Sequence, residues 1–259
     1  MKAILLSVAF LLGLYSFSMA QYTTLNAHSH NDYEQKNPFF LAWQNHFGSI
    51  EADIWEVNGE LLVAHTKNEL SPDKTLDALY LNPIVKIFKM NNGSPWSKYS
   101  GTFQLLIDIK TSVEPALTML VEKLKMYPEV FNPQINKHAV RVVITGNRPN
   151  PEDFSKYPGF IFYDGKFDLR YSSGELKKIA LYSENLTKFT SWKGEGKIPD
   201  TEYSQLKNVI DSVHSLKKKV RFWNAPDNPD AWKILTGLKV DYINTDHIKE
   251  LAAFLNSHD

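Results

Sequence analysis

The sequence predicts a single (β/α)8 barrel behind a cleaved signal peptide. Three observations carry this expectation. Eight short apolar or β-branched runs alternate with helix-like segments, the pattern of a parallel sheet. About 240 residues follow the leader, the span of one such barrel. Polar residues gather at the C-terminal ends of most runs, where barrels of this kind carry their working groups. A doubly wound open sheet is the competing topology, but the sequence lacks the glycine-rich phosphate loops that often mark it.

The elements follow in order. Residues 23–28 read as the first strand. A short helix over 38–46 has Asn37 as N-cap and Pro38 at its first position, where a missing N–H costs nothing. Residues 48–55 read as the second strand, and the turn pair Asn58-Gly59 folds 60–65 back as a hairpin partner. Ser71-Pro72-Asp73 opens a helical region that reaches residue 90, and a polar loop fills 91–101. The third barrel strand, 103–110, is almost continuously apolar, as expected where both faces are buried. A helix over 113–126 precedes a fourth strand at 140–145, and strands at 160–163 and 179–182 follow. After a long loop through Trp192, Asp200 caps a helix that runs to 216. A strand at 220–223, a helix over 229–238, a strand at 240–244 and a last helix over 247–256 complete the eight units.

The 259 residues are 43% hydrophobic and 22% charged, ordinary values for a globular chain. Lys+Arg 29 balances Asp+Glu 29, so no global field draws nucleic acid or an anionic membrane, and recognition of an anion must be local. Cysteine is absent, which excludes disulfides, thiolate catalysis, thiolate-bound zinc and a lipid anchor on a cysteine after the leader. Lys2, the apolar run 3–14 and the small-x-small site Ser18-Met19-Ala20 form a signal peptide over residues 1–20. The expectation is a secreted or periplasmic monomer, one domain over 21–259, with no stable membrane insertion.

The strand ends hold the candidate chemistry. The first strand leads into His28, His30 and Asn31, the second carries Glu51 and Asp53, and the hairpin ends in His65. The third ends in Asp108 and Lys110, the fourth in Asn147 and Arg148, the seventh in Trp223 and Asn224, and the eighth in Thr245 and Asp246. Glu51 and Asp53 are two apart on a strand, so both point inward. Two inward carboxylates repel and lose hydration unless a cation lies between them. With Asp108 and the amide oxygen of Asn31 they offer oxygen-only ligands, suited to one divalent cation, Ca²⁺ or Mg²⁺. The bland alternative is that Lys110 and Arg148 neutralise these carboxylates. His30 and His65 are the candidate base and acid, because imidazole titrates near neutrality. Lys110 and Arg148 are candidates for holding a phosphate, and Trp223, with Trp192, for walling the pocket.

These motifs resemble, in order along nearly the whole mature chain, a known superfamily of phosphodiesterases. His30-Asn31-Asp32-Tyr33 is similar to the His-Asn-x-Tyr that opens the catalytic barrel of phosphoinositide-specific phospholipases C. Glu51-x-Asp53 with a hairpin ending in His65 resembles the arrangement those enzymes share with glycerophosphodiester phosphodiesterases. Ile107-Asp108-Ile109-Lys110 resembles the latter's Ile-Glu-Ile-Lys, and the run from Val240 through Thr245-Asp246 its last strand. A secreted branch sharing His-x-His-Asn-Asp-Tyr and Arg-Phe-Trp-Asn-x-Pro, here beginning at Arg221, is the nearest pattern. The resemblance implies a phospholipase C-like barrel in which His30 is the general base and His65 the general acid. It implies that Asn31, Glu51, Asp53 and Asp108 hold the cation. It favours His30 over His28, which stays a lesser candidate. The chain departs from the glycerophosphodiesterases in three ways: no His-Arg-Gly, Asp108 in place of glutamate, and no room for an inserted cap domain.

The function expected is metal-dependent cleavage of a small or lipid-headgroup phosphodiester by histidine acid–base chemistry. Two rivals remain. His28-x-His30 also opens amidohydrolase-type zinc barrels, which need further histidines at later strand ends; here the fifth and sixth strands end in Asp164 and Ser183. A non-catalytic secreted binding protein could keep the same barrel.

Overall fold

The protein is described by a computed structural model over residues 22–257. The expected signal peptide lies outside these residues. Eight parallel strands form the barrel: β1 (Ala27–Ser29), β2 (Ser49–Val57), β4 (Gln104–Ile109), β5 (Arg141–Gly146), β6 (Ile161–Gly165), β7 (Ile179–Asn185), β8 (Lys219–Trp223) and β9 (Ile243–Thr245). The short β3 (Glu60–Val63) pairs antiparallel with β2 alone. Around the barrel the order is β8-β7-β6-β5-β4-β2-β1-β9. The ring closes through a single parallel bridge, Arg221 against Tyr242, so β8 and β9 are joined more sparsely than other neighbours.

Alternation sorts each strand into two faces. On β2, Ile50, Ala52 and Ile54 point outward into the main core under the helices, leaving Ser49, Glu51 and Asp53 for the interior. On β4, Leu105, Ile107 and Ile109 point outward, while Leu106 joins Val143, Leu181 and Tyr242 in a separate apolar plug inside the barrel. Truncating Leu106 to alanine would cost about 2–5 kcal/mol, the usual range for a fully buried leucine. The plug spans β4, β5, β7 and the approach to β9; the interior beside β1 and β2 is polar instead, with His28, Ser49, Glu51, Gln104 and Arg221 all buried.

The helices are α1 (Phe40–Gln44), α2 (Asn82–Met90), α3 (Val113–Lys125), α4 (Pro128–Phe131), α5 (Ser173–Lys178), α6 (Asp200–Ser215), α7 (Pro229–Gly237) and α8 (Ile248–Asn256). Several bounds differ from the sequence expectation, each for a local reason. The first strand is shorter than 23–28 because Thr23 and Asn26 form a capping box that curls Thr24–Asn26 into a 3-10 turn. The helix expected over 38–46 starts only at Phe40, because Phe39 takes φ 63° and gives its N–H to buried Asp32. The region expected from 71 becomes helical at Asp77, through a π turn that leads into α2. The last strand falls at Ile243–Thr245 rather than 240–244, since Asp241 and Tyr242 bond to Val220 as an isolated bridge. The helices α4 and α5 are additions; Ser172 and Glu175 form the capping box that starts α5.

Candidate active site

Three carboxylates meet at the C-terminal rim. Asp53 on β2 lies in register with Asp108 on β4, and Glu51 is one inward step below. Oxygens from all three lie within 4.8 Å of one another. Gly146, at the end of β5 with φ 64°, makes room: a Cβ there would lie 1.9 Å from Asp108 Oδ1.

Each carboxylate is partly committed. Lys110 Nζ donates to Asp53 Oδ2 and to Asp108 Oδ2, both at 2.9 Å. Arg221 Nη1 donates to Glu51 Oε2 at 2.7 Å. The expected neutralising pair Lys110 and Arg148 is therefore half right: the guanidinium on Glu51 comes from β8, not from the loop after β5. Arg148 instead makes a long bond to Thr145 Oγ1, 3.4 Å, and no ion pair among the described residues. Burial pushes Asp53 up to about 6, aided by the charge of Glu51 and opposed by Lys110. Burial also acts upward on Glu51, but Arg221 and His28 outweigh it and hold Glu51 well below the usual carboxylate range.

The cluster fits a divalent cation. Asp108 Oδ1 is buried and has no hydrogen-bond partner. Three carboxylates face two ammonium or guanidinium groups, so one negative charge remains. The donors are all hard oxygens, which suits Ca²⁺ or Mg²⁺.

The two histidines after β1 have different fates. His28 is fully buried, with Nδ1 2.8 Å from Ser49 Oγ and Nε2 3.0 Å from Glu51 Oε2 and also against Arg221 Nη1. Nε2 is thus wedged between a carboxylate and a guanidinium, and Nδ1 is taken up by a hydroxyl. Burial, then the neighbouring guanidinium, push its pKa down to about 3. With both nitrogens committed, His28 offers neither a zinc ligand nor a proton relay, and the amidohydrolase reading loses its opening residue.

His30 lies above it with its side chain 26% exposed. Its Nδ1 bonds Asp246 Oδ1 at 2.9 Å, and among the described residues its Nε2 has no hydrogen-bond partner. Asp246 is itself set by Gln35 on its carbonyl and by Asp227 Oδ2, which accepts from its N–H at 2.8 Å. Burial acts downward on His30, but the bond to Asp246 and the charge of Glu51 leave its pKa raised. His65 follows β3 and is half exposed; its Nδ1 is 3.2 Å from the Tyr33 hydroxyl and 3.4 Å from Asp53 Oδ2. Asn31, in the left-handed region at φ 44°, turns its amide oxygen to the same hydroxyl at 2.8 Å.

The structure thus brings His30, Asn31, Glu51, Asp53, His65, Asp108 and Lys110 to one quarter of the rim. Arg148 and Trp223 stand on the same rim at β5 and β8 without touching that group; Trp223 is 38% exposed. Trp192 is buried and gives its indole N–H to Glu195 O, so it packs its own loop instead of walling the pocket. Sequence reasoning passed over three contributors: Arg221, Asp246 as partner of His30, and the Tyr33 hydroxyl. Arg221 had a signal, since it alternates with apolar Val220 and Phe222 and so faces inward.

A parallel barrel whose rim carries two histidines beside an acidic trio is a barrel of the phospholipase C-like and glycerophosphodiester phosphodiesterase superfamily. Within it the chain belongs to the family described as AIM6-like phosphodiesterase domain, which matches residues 18–164. Residues 219–248 match the glycerophosphoryl diester phosphodiesterase family. Altered inheritance of mitochondria protein 6 of Kluyveromyces lactis is 27% identical over 300 aligned positions, covering 88% of this chain and 72% of that protein. The protein of that name from Eremothecium gossypii is 28% identical, covering 88% and 68%. Among solved structures, a glycerophosphodiester phosphodiesterase from Parabacteroides distasonis superposes with a TM-score of 0.51 at 15% identity, covering 90% of this chain and 97% of that one. That likeness is one of fold.

Proposed function

We propose that the chain is a secreted or periplasmic, divalent-cation-dependent phosphodiesterase acting on a diester that bears a neighbouring hydroxyl, such as a glycerophosphodiester or a phosphoinositide headgroup. One observation carries the reading: beside the acidic trio His30 and His65 each have Nδ1 tied to a partner, and among the described residues neither Nε2 has a hydrogen bond. That is the arrangement in which one imidazole accepts a proton and another gives one.

His30 takes the proton of the attacking hydroxyl at Nε2, and Asp246 steadies the imidazolium that forms. The raised pKa of His30, held by that bond, favours taking up this proton. His65 protonates the leaving oxygen from Nε2. Asn31, Glu51, Asp53 and Asp108 would hold the cation, whose charge stabilises the phosphoryl oxygens as negative charge builds on them. Lys110 neutralises Asp53 and Asp108 and presents an ammonium beside the phosphate. Arg148, with no ion pair among the described residues, and exposed Trp223 supply binding contacts from the opposite arc. The reading further takes residues 1–20 as the leader, 21–259 as the working domain, and the monomer as the active form.

The test is a panel of diesters, with Ca²⁺ or Mg²⁺ against chelator, on wild type and His30→Ala together. Cation-dependent turnover in wild type and a loss of about 10²–10⁴ in the variant are expected. Cation binding without turnover on any diester would instead favour a binding protein on the same barrel.

A further inference from the structure

Among the described residues, Tyr33 is the side chain that hydrogen-bonds a proposed ligand, the acidic trio and the proposed acid at once. Its hydroxyl lies 2.8 Å from Asn31 Oδ1, 2.8 Å from Asp53 Oδ2 and 3.2 Å from His65 Nδ1. The ring is buried, and its turn is anchored from below. Asp32, next in the chain, accepts from Ser29 Oγ at 2.8 Å, from the Phe39 N–H at 2.5 Å and from Tyr80 Oη at 3.0 Å. The Asp32–Glu34 turn is closed by Glu34 N–H to Asn31 O at 2.8 Å. The hydroxyl is therefore a fixed point.

Counting donors then decides the hydrogen positions. The hydroxyl has one hydrogen. Asn31 Oδ1 and Asp53 Oδ2 are both acceptors and both closer than His65. The hydrogen goes to one of these oxygens, which leaves the Tyr33 oxygen as an acceptor toward His65. His65 must then carry its hydrogen on Nδ1. Asp53 alone cannot enforce this, because 3.4 Å is beyond ordinary N–H···O range and its Oδ2 already accepts from Lys110 and Tyr33. Among the described residues no other hydrogen bond holds the half-exposed His65 ring.

We propose that Tyr33 is a positioning residue whose hydroxyl holds the Nδ1 hydrogen of His65, so that the second proton, taken up at Nε2 to form the imidazolium, faces the leaving oxygen and is given to it without the ring turning. The catalytic half of this statement rests on the phosphodiesterase reading; the tautomer half does not. In the transfer, the Nε2–H bond breaks, the proton passes to the leaving oxygen as its bond to phosphorus breaks, and neutral His65 keeps its Nδ1 hydrogen on Tyr33.

The test is Tyr33→Phe, which keeps the packed ring and deletes the hydroxyl. The His65 ring nitrogens are followed by ¹⁵N NMR above the titration range, in wild type and variant. Wild type should show a protonated Nδ1 and a bare Nε2, and the variant should move toward the Nε2–H form that free imidazole prefers. In parallel, turnover of a diester with an alkoxide leaving group should fall on the order of tenfold to a hundredfold, less than loss of the acid itself. An aryl diester, whose leaving group needs little protonation, should be affected far less, and KM for both should hold. An unchanged tautomer, or equal losses on both diesters, would overturn the proposal. If wild type cleaves no diester yet the tautomer still depends on Tyr33, the positioning stands and the functional reading fails.

Discussion

The barrel mouth has two arcs built from the same kinds of residue to different ends. On the arc of β5, β6 and β7, Asp164 is a buried strand-end carboxylate whose oxygens are filled by neutral donors: Thr145 Oγ1 at 3.0 Å, Ser183 N–H at 2.8 Å and Ser183 Oγ. On the arc of β9, β1, β2 and β4, Asp108 is also a strand-end carboxylate, but Oδ1 is buried with no donor. The first is finished as structure. The second is completed only by something positive. The same contrast divides the polar side chains. Where the first arc runs on from β7 to β8, Asn224 Nδ2 simply bonds Asn185 Oδ1, while on the second one nitrogen of each of His30 and His65 has no hydrogen bond among the described residues. A carboxylate at a barrel rim is thus not by itself a site; unsatisfied oxygens beside unbonded imidazole nitrogens are.

The largest expected effect tests that division directly. His65→Ala should lower kcat on an alkyl diester by about 10²–10⁴, whereas Ser183→Ala on the finished arc should leave kcat within about twofold. Steady-state kinetics on both variants decide it, and equal losses would erase the distinction between arcs.

Next in size is cation binding. Asp108→Ala removes the oxygen that lacks a donor and frees Lys110 to close on Asp53. Calorimetric titration with Ca²⁺ or Mg²⁺ should show binding lost or weakened at least tenfold. The cation-induced rise in thermal midpoint, about 2.7 kcal/mol of stabilisation at a hundredfold excess over Kd, should vanish with it. Asp164→Ala should lower stability but leave the cation isotherm unchanged.

The fold was legible from alternation because the outward faces of the longer central strands are apolar; Ile50, Ala52 and Ile54 force Glu51 and Asp53 inward whatever the rest of the chain does. The acidic trio, His30 and His65 were legible for the same reason, since strand ends meet at one rim. The partners were not. Arg221 is 170 residues from Glu51 and 193 from His28, and only closure of the ring between β8 and β9 brings them together. Arg148 was the nearer guess along the chain, but its strand carries it toward Thr145 and Asp164. Helix bounds failed where a single buried group took a backbone N–H, as Asp32 does at Phe39.

A smaller effect separates His28 from His30 by pH. The folded-state pKa of His28 is pushed down to about 3 by burial and Arg221, against about 6.5 when unfolded. The unfolded chain therefore binds the extra proton, and the stabilising contribution, complete above pH 6.5, is lost as pH falls toward 3. At pH 5 the loss is about 2 kcal/mol, from 1.36 kcal/mol per pH unit. Asp32 and Asp53, both pushed to about 6 by burial, have the opposite sign: the folded state holds their protons more tightly, so they favour the fold as pH falls. The measurement is therefore a difference. Urea unfolding of wild type and His28→Gln at pH 7 and pH 5 should show wild type losing more stability on acidification. Parallel losses would mean that His28 is protonated in the folded protein after all.

The smallest effects belong to the binding side of the mouth. Among the described residues Arg148 has one long bond and no ion pair, and Trp223 exposes its ring at the end of β8. Neither touches the histidines or the acidic trio, so neither should help the proton transfers. Arg148→Ala and Trp223→Ala should each raise KM about threefold to tenfold, roughly 1 kcal/mol of uniform binding, with kcat unchanged. The arginine effect should shrink with added salt, because a half-exposed guanidinium is screened, while the tryptophan effect should not. A fall in kcat for Arg148→Ala would move that residue across the divide and make the opposite arc part of the chemistry, with its guanidinium acting on charge that appears only in the transition state.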